Sequence, residues 1–293
     1  GEVKQHMSLS FVFYSLLLKI LEITPYKVLF LIGTCLSFIL YVIPNNHKNI
    51  TLANLRHVFP TKDKKEIGLL LKESLFHSSM AFLESGLVWG NKLLMKKNNF
   101  IELVNFQSVE RSLESRQGVL LFTPHLGNIE VLINHLGATT NCTVPYTKPK
   151  NKSLDKIMKA SRNRAGVSMV DTNVSGIKQM LLALKGGNVV AIASDQVPKK
   201  GAGLLSKFFN QDCLSMTLLT KLQQKTDCSA HLMYCERKLN GEGFIIHFGN
   251  KIDLSEDIQE GVDKMNYEFE KCIMKIPGQY SWEYKKFKNT ESK

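Results

Sequence analysis

His125 and Glu130 lie five residues apart in the run Thr123-Pro124-His125-Leu126-Gly127-Asn128-Ile129-Glu130, directly after the apolar residues 119–122. An imidazole can take a proton near neutral pH, and a neighbouring carboxylate can fix its tautomer and balance its charge. Residues five apart do not share a helix face. The two therefore meet only if His125 ends a strand, Gly127 turns the chain and Asn128 caps a helix starting at Ile129. Glu130 then falls in the first helical turn, where the macrodipole favours its anionic form. By itself the spacing fits a structural or solvated histidine equally well.

The elements that must position this pair alternate between strand and helix. Apolar runs at 119–122, 142–146, 167–170 and 189–193 read as strands, with helices between them at about 129–136, 153–163 and 174–185. Such alternation predicts an α/β layer with a largely parallel sheet, whose reactive groups collect at the strands' carboxyl ends. His125 and Asp195 both follow predicted strands directly, as a shared cleft requires, although polar residues commonly follow strands anyway. Residues 65–94 read as a helix. Residues 229–236 and 244–248 read as an antiparallel edge hairpin through Asn240-Gly241-Glu242-Gly243, and 255–276 as a long helix with one buried face.

With 293 residues, 44% of them hydrophobic, the chain can bury one core and a small helical appendage. A formal net charge of +12 attracts anionic lipid, a phosphorylated glycolipid or an acidic carrier protein. Nucleic acid is set aside as a partner, because zinc-finger spacing, an aromatic RNA-binding signature and a long basic block are all missing. The six cysteines form no C-x-x-C pair and predict buried thiols in a reduced compartment, with no metal site. A serine elbow of the G-x-S-x-G type is absent too.

Residues 1–6 read as a remnant of recombinant expression, 7–47 as a hydrophobic membrane anchor and 48–293 as one α/β domain. Residues 28–43 carry no charge. At ~1.5 Å per residue they fall short of a ~30 Å hydrocarbon layer, so both spanning and embedding stay open. Lys48, Arg56, Lys62, Lys64 and Lys65 follow this stretch and place the domain on the cytoplasmic side, while Lys19 and Lys27 weigh against that orientation.

Residues 118–130 resemble the HX4(D/E) motif of glycerolipid acyltransferases, and the form His125-Leu126-Gly127-Asn128-Ile129-Glu130 is most similar to the lipid A biosynthesis (late) acyltransferases. Further segments resemble that family in order: Asn54-Leu55-Arg56-His57-Val58-Phe59-Pro60, Glu84, Arg164 ahead of Met169-Val170-Asp171, Asp195-Gln196, Lys207-Phe208-Phe209, and residues 279–288. The sequence departs from the family pattern at Asn210, where a glycine is usual, at Tyr280, where tryptophan is commoner, and at Glu283, which puts a negative charge into a basic tail.

The resemblance implies a glycerolipid-acyltransferase-like α/β fold with an N-terminal membrane-anchoring helix, in the inner membrane. It implies transfer of a fatty acyl chain from an acyl carrier protein thioester to a hydroxyl of a Kdo-lipid IVA-type lipid A precursor, with no cofactor. In this reading His125 is the general base and Glu130 orients it. Arg164, Asp195, Gln196 and Asn128 are candidates for the oxyanion or substrate, with a surface ion pair as the competing reading of Arg164. Lys199, Lys200 and Lys207 are candidates for phosphate or carrier binding. Another lipid acceptor, a thioesterase and a non-catalytic membrane-surface binder remain alternatives.

Overall fold

The computed structural model describes residues 8–90, 99–199 and 201–287. Four helices come first: α1 (Leu9–Ile23), α2 (Tyr26–Val42), α3 (Asn46–Val58) and α4 (Lys64–Trp89). The alternating part follows as β1 (Ile101–Val104), α5 (Phe106–Glu114), β2 (Val119–Thr123), α6 (Ile129–Thr139), β3 (Cys142–Tyr146), α7 (Lys152–Arg164), β4 (Ser168–Asp171), α8 (Val174–Lys185) and β5 (Val189–Ala193). It closes with a separate hairpin β6 (Gly203–Phe208) and β7 (Gln211–Met216), then α9 (Leu218–Thr226), β8 (Ser229–Arg237), β9 (Phe244–Ile252) and α10 (Ile258–Lys275).

Residues i and i+2 of a strand face the same side of its sheet, and the buried runs of β2 and β5 divide accordingly. Leu120, Phe122, Val190 and Ile192 enter one core with residues of α3, α8, α9 and α10. Val119, Leu121, Val189 and Ala191 enter a second core with residues of α1, α2, α5 and α6. Burial on both faces is why these strands are continuous apolar runs instead of alternating ones. Helix α4 serves both cores, through Ile67, Leu71 and Leu75 on one and Met80, Leu83 and Leu87 on the other. It starts at a capping box in which Asp63 and Glu66 satisfy each other's backbone N–H.

The sheet order is β1-β9-β8-β2-β5-β3-β4. The five strands from β8 to β4 are parallel, while β1 and β9 pair parallel with each other and β9 runs antiparallel to β8. The expected α/β layer with a mostly parallel sheet is therefore present. The β8–β9 hairpin is not an edge, however: β8 is held by β2 on one side, and β1 covers β9.

At the N-terminus the expected anchor resolves into two short helices packed on α4. A side chain at Gly86 would meet the Cβ of Leu21 at 2.5 Å, so α1 and α4 approach with only hydrogen between them. No single helix among the described residues is long and apolar enough to cross a membrane, and α2 and α3 are bent by 81° to each other. The outer faces of α1 and α2 nonetheless expose Leu9, Phe13, Ile23, Leu31 and Phe38, with Leu9 91% exposed. Residues 1–6, Lys200, Lys288 and the last part of the helix expected over 65–94 lie outside the described residues.

Candidate active site

Strands β2 and β5 are parallel neighbours, with Thr123 beside Ala193. Each chain leaves its strand at the same sheet edge, and two residues later one presents His125 and the other Asp195. The imidazole Nδ1 lies 2.6 Å from Asp195 Oδ1, and the His125 backbone N–H donates to Asp195 Oδ2 at 3.1 Å. Tyr280 Oη also donates to Oδ2, at 2.9 Å, and Lys286 Nζ donates to the Asp195 backbone carbonyl. A carboxylate that accepts from Nδ1–H leaves Nε2 with its lone pair, and the His125 side chain is 31% exposed.

Burial acts to lower the His125 pKa, but the Asp195 charge and hydrogen bond outweigh it, helped by Glu283 and opposed by Lys286, so the pKa is raised. Desolvation acts to raise the Asp195 carboxyl, yet His125, its hydrogen bonds and Lys286 hold it below the usual carboxylate range. Burial and the Asp195 charge push the Tyr280 phenol well up, which keeps it a donor.

The loop beyond His125 turns as its sequence requires. Gly127 has φ +68°, and a Cβ there would sit 1.7 Å from the Cys235 carbonyl oxygen, so only glycine fits. Its N–H donates to the Gln279 carbonyl at 2.9 Å, and Ser281 N–H donates to the His125 carbonyl at 3.0 Å. Asn128 caps α6 by accepting from Val131 N–H at 3.0 Å.

The expectation that Glu130 orients His125 is corrected by these bonds. Glu130 does stand in the first turn of α6, but among the described residues it binds Arg162, with NH2 to Oε1 at 2.5 Å, and the Trp89 indole at 3.3 Å. The helix that lifts Glu130 out of the turn aims it toward α4 and α7, while β5 brings a different carboxylate to the ring. Arg164 donates to the Trp89 carbonyl at 2.8 Å, satisfying an orphan acceptor at the end of α4. Residues two apart on a helix point in nearly opposite directions, which is why Arg162 and not Arg164 meets Glu130.

Gln196 follows Asp195 half-buried, and Lys199 is exposed. Lys207 lies on β6, exposed and 2.8 Å from Asp212. Tyr280, Lys286 and Arg162 carry contacts that sequence reasoning did not assign to them. The cue available was that residues 279–288 carry a conspicuous aromatic and basic cluster. Trp282 is buried against Phe59, Phe209 and Tyr280, so it seals packing. All six cysteines are free. Burial pushes the Cys142 thiol to about 12, which keeps it protonated and argues against a nucleophile there.

A second buried carboxylate supports this loop from behind. Arg237 Nε lies 2.8 Å from Glu84 Oε2, while Tyr26 Oη at 2.5 Å and Asn128 Nδ2 at 2.9 Å also donate to Glu84. Arg237 NH1 meets His77 Nδ1 at 2.8 Å, and Gln279 bonds both backbone groups of Arg237.

A sequence model described as bacterial lipid A biosynthesis acyltransferase matches residues 3–289. The chain is 23% identical over 268 residues to the lipid A biosynthesis palmitoleoyltransferase of Escherichia coli (strain K12), covering 90% of this chain and 86% of that one. It is also 23% identical over 269 residues to the lipid A biosynthesis lauroyltransferase of the same organism, covering 90% and 86%. A lipid A biosynthesis acyltransferase of Haemophilus influenzae is 24% identical over 272 residues, covering 90% and 85%. With a near-full-length family match, this protein belongs to the bacterial lipid A biosynthesis acyltransferases and is an acyltransferase.

Proposed function

We propose that the chain moves a fatty acyl group from an acyl carrier protein thioester to a hydroxyl of a Kdo-lipid IVA-type lipid A precursor, with His125 as general base. The supporting observation is a partly exposed imidazole at the carboxyl ends of parallel strands, whose Nδ1 is held 2.6 Å from buried Asp195. Nε2 accepts the hydroxyl proton as the oxygen attacks the thioester carbonyl. The C–O bond forms, the tetrahedral intermediate collapses, the C–S bond breaks, and the imidazolium returns its proton to the leaving thiolate. Asp195 replaces Glu130 as the orienting carboxylate, and Glu130 instead holds Arg162 at the start of α6. Backbone N–H groups there, or Arg164, meet the oxyanion or an acceptor phosphate. Lys199, Lys200 and Lys207 serve phosphate or the acidic carrier. The apolar outer faces of α1 and α2 embed in the inner membrane with the α/β domain on the cytoplasmic side, a reading supported by their exposed Leu, Phe and Ile side chains.

The test incubates detergent-solubilised protein and its His125→Ala variant with acyl carrier protein thioesters and Kdo-lipid IVA, and weighs the lipid products. Loss of the acylated product with unchanged circular dichroism is the expected result. Equal product from both proteins would overturn the base assignment. Free fatty acid, formed at a rate that the acceptor does not raise, would indicate a thioesterase instead.

A further inference from the structure

The basic residues that follow the apolar N-terminal helices surround a cavity of about 260 Å³ where α2, α3 and the start of α4 meet. Lys48, Arg56, Lys62 and Lys64 line it, together with one acidic residue, Asp63. Asp63 is already engaged as the cap of α4, where it accepts from Glu66 N–H at 2.8 Å. Glu66 in turn accepts from Asp63 N–H at 2.9 Å and lies 3.6 Å from Lys62. Among the described residues, the exposed side chains of Arg56 and Lys64 form no hydrogen bond or ion pair. The pocket therefore keeps an excess of positive charge.

Tyr41 joins this pocket to the apolar end of α2, where Phe38, Ile39 and Val42 are exposed. The ammonium groups of Lys48 and Lys72 each lie 5.0 Å from the centre of its ring. Gly68 lines the same pocket from inside α4, and a Cβ there would meet nothing within 4 Å. Glycine is the poorest helix former apart from proline, and Gly86 of the same helix is required by its close approach to Leu21. No such contact requires Gly68, so the pocket keeps room that the fold itself does not use.

Resting on the reading that the outer faces of α1 and α2 embed in the membrane, we propose that this pocket takes the phosphate of an anionic phospholipid headgroup. Arg56 supplies paired N–H donors to the phosphate oxygens, and the lysines supply point charges. The lipid's acyl chains run along the exposed apolar side of α2. An acidic carrier protein would be drawn to the same charge, but a cavity this small admits a headgroup and not a helix of ~10 Å diameter. The neighbouring apolar surface also suits a partner that has both an anion and a hydrocarbon tail. The pocket thus pins the end of α2 at the level of the headgroups.

The experiment dilutes the full chain out of detergent onto vesicles of phosphatidylcholine, alone or mixed with phosphatidylglycerol, and measures the fraction that floats. Gly68→Leu fills the cavity without changing charge, and a double variant combines Arg56→Gln with Lys64→Gln. The parent is expected to bind mixed vesicles more tightly than neutral ones. Gly68→Leu is expected to lose most of that gain while unfolding at no lower temperature than the parent. The double variant is expected to lose roughly 25-fold, about fivefold per charge, and all three proteins should bind neutral vesicles equally. If folded Gly68→Leu keeps the full gain, the proposal is overturned, since attraction spread over a surface needs no cavity. A gain abolished by inorganic phosphate at matched ionic strength would overturn the lipid assignment in favour of free phosphate. Weaker binding of acyl carrier protein to the double variant, with unchanged vesicle binding, would overturn it in favour of the carrier. Equal parent binding to neutral and mixed vesicles would sink the headgroup site and leave the embedding of α1 and α2 standing. Failure to bind neutral vesicles would instead remove the embedding on which the proposal rests.

Discussion

Two buried carboxylates, Glu84 and Asp195, organise the two sides of the His125 loop, and they differ in whether their hydrogen-bond networks close. Glu84 is saturated by Arg237, Tyr26 and Asn128, and Arg237 passes on to His77 and Gln279. That network joins α2, α4, the cap of α6 and β8, and every group in it is inside the protein. Asp195 is also satisfied, but its principal partner is a ring whose side chain is partly exposed. A closed network fixes the backbone, whereas an open one can exchange a proton with a bound molecule. The contrast separates a carboxylate that holds the fold from one that can take part in chemistry.

The largest test of that difference removes the cation from the closed side. Arg237→Met leaves Glu84 charged and unpaired, and should cost about 3–5 kcal/mol in denaturant unfolding. Adding Glu84→Gln should recover a good part of that loss, because the uncompensated charge is then gone. If Arg237→Met unfolds like the parent chain, the Glu84 network does not carry the loop.

On the open side, Asp195→Asn should cost roughly a hundredfold or more in kcat/KM, about 2.7 kcal/mol of barrier. As the base proposed above, His125 acts in its neutral form, and Asp195 raises its pKa. Removing that charge should therefore carry the acid limb to lower pH even as the plateau falls. An acid limb moving to higher pH would contradict the pairing.

Histidine protonation separates the two networks again. Burial, then the Arg237 charge, pushes His77 down to about 3, against ~6.5 in the unfolded chain. Between those values the unfolded chain binds a proton that the folded chain refuses. The contribution of His77 is thus complete above ~6.5 and is lost as pH falls toward 3, by roughly 2 kcal/mol from pH 6.5 to 5. Unfolding midpoints at the two pH values, in the parent and in His77→Gln, measure it, and the variant should lose that part of the slope. The smallest effect lies outside both networks. Lys207→Ala breaks an exposed pair with Asp212 and should change stability by less than about 0.5 kcal/mol.

Much of the α/β framework was legible because burial on both faces writes strands as short apolar blocks. Residues 142–146 and 189–193 match β3 and β5, and Asn128, Asn151 and Asn173 cap the intervening helices. Strand β1 escaped notice because its residues are mostly exposed and it gains its pairing only from distant β9. The β6–β7 hairpin escaped because its turn uses Phe209 and Asn210 at positive φ, where glycine would have been the signal.

The sequence by itself determined that a histidine would leave a buried strand through a glycine turn into an asparagine-capped helix, since each of those steps is set by neighbours a few residues away. It also carried the ordered segments that mark the family. Which carboxylate would hold that histidine was decided only by tertiary structure. Asp195 lies 70 residues beyond His125 and reaches it because β5 pairs with β2 in register. Tyr280, Lys286 and Glu283 arrive from the far end of the chain on a strap bonded to the same loop. Strand order and strap placement follow from how whole layers bury their apolar faces, and no local spacing encodes that.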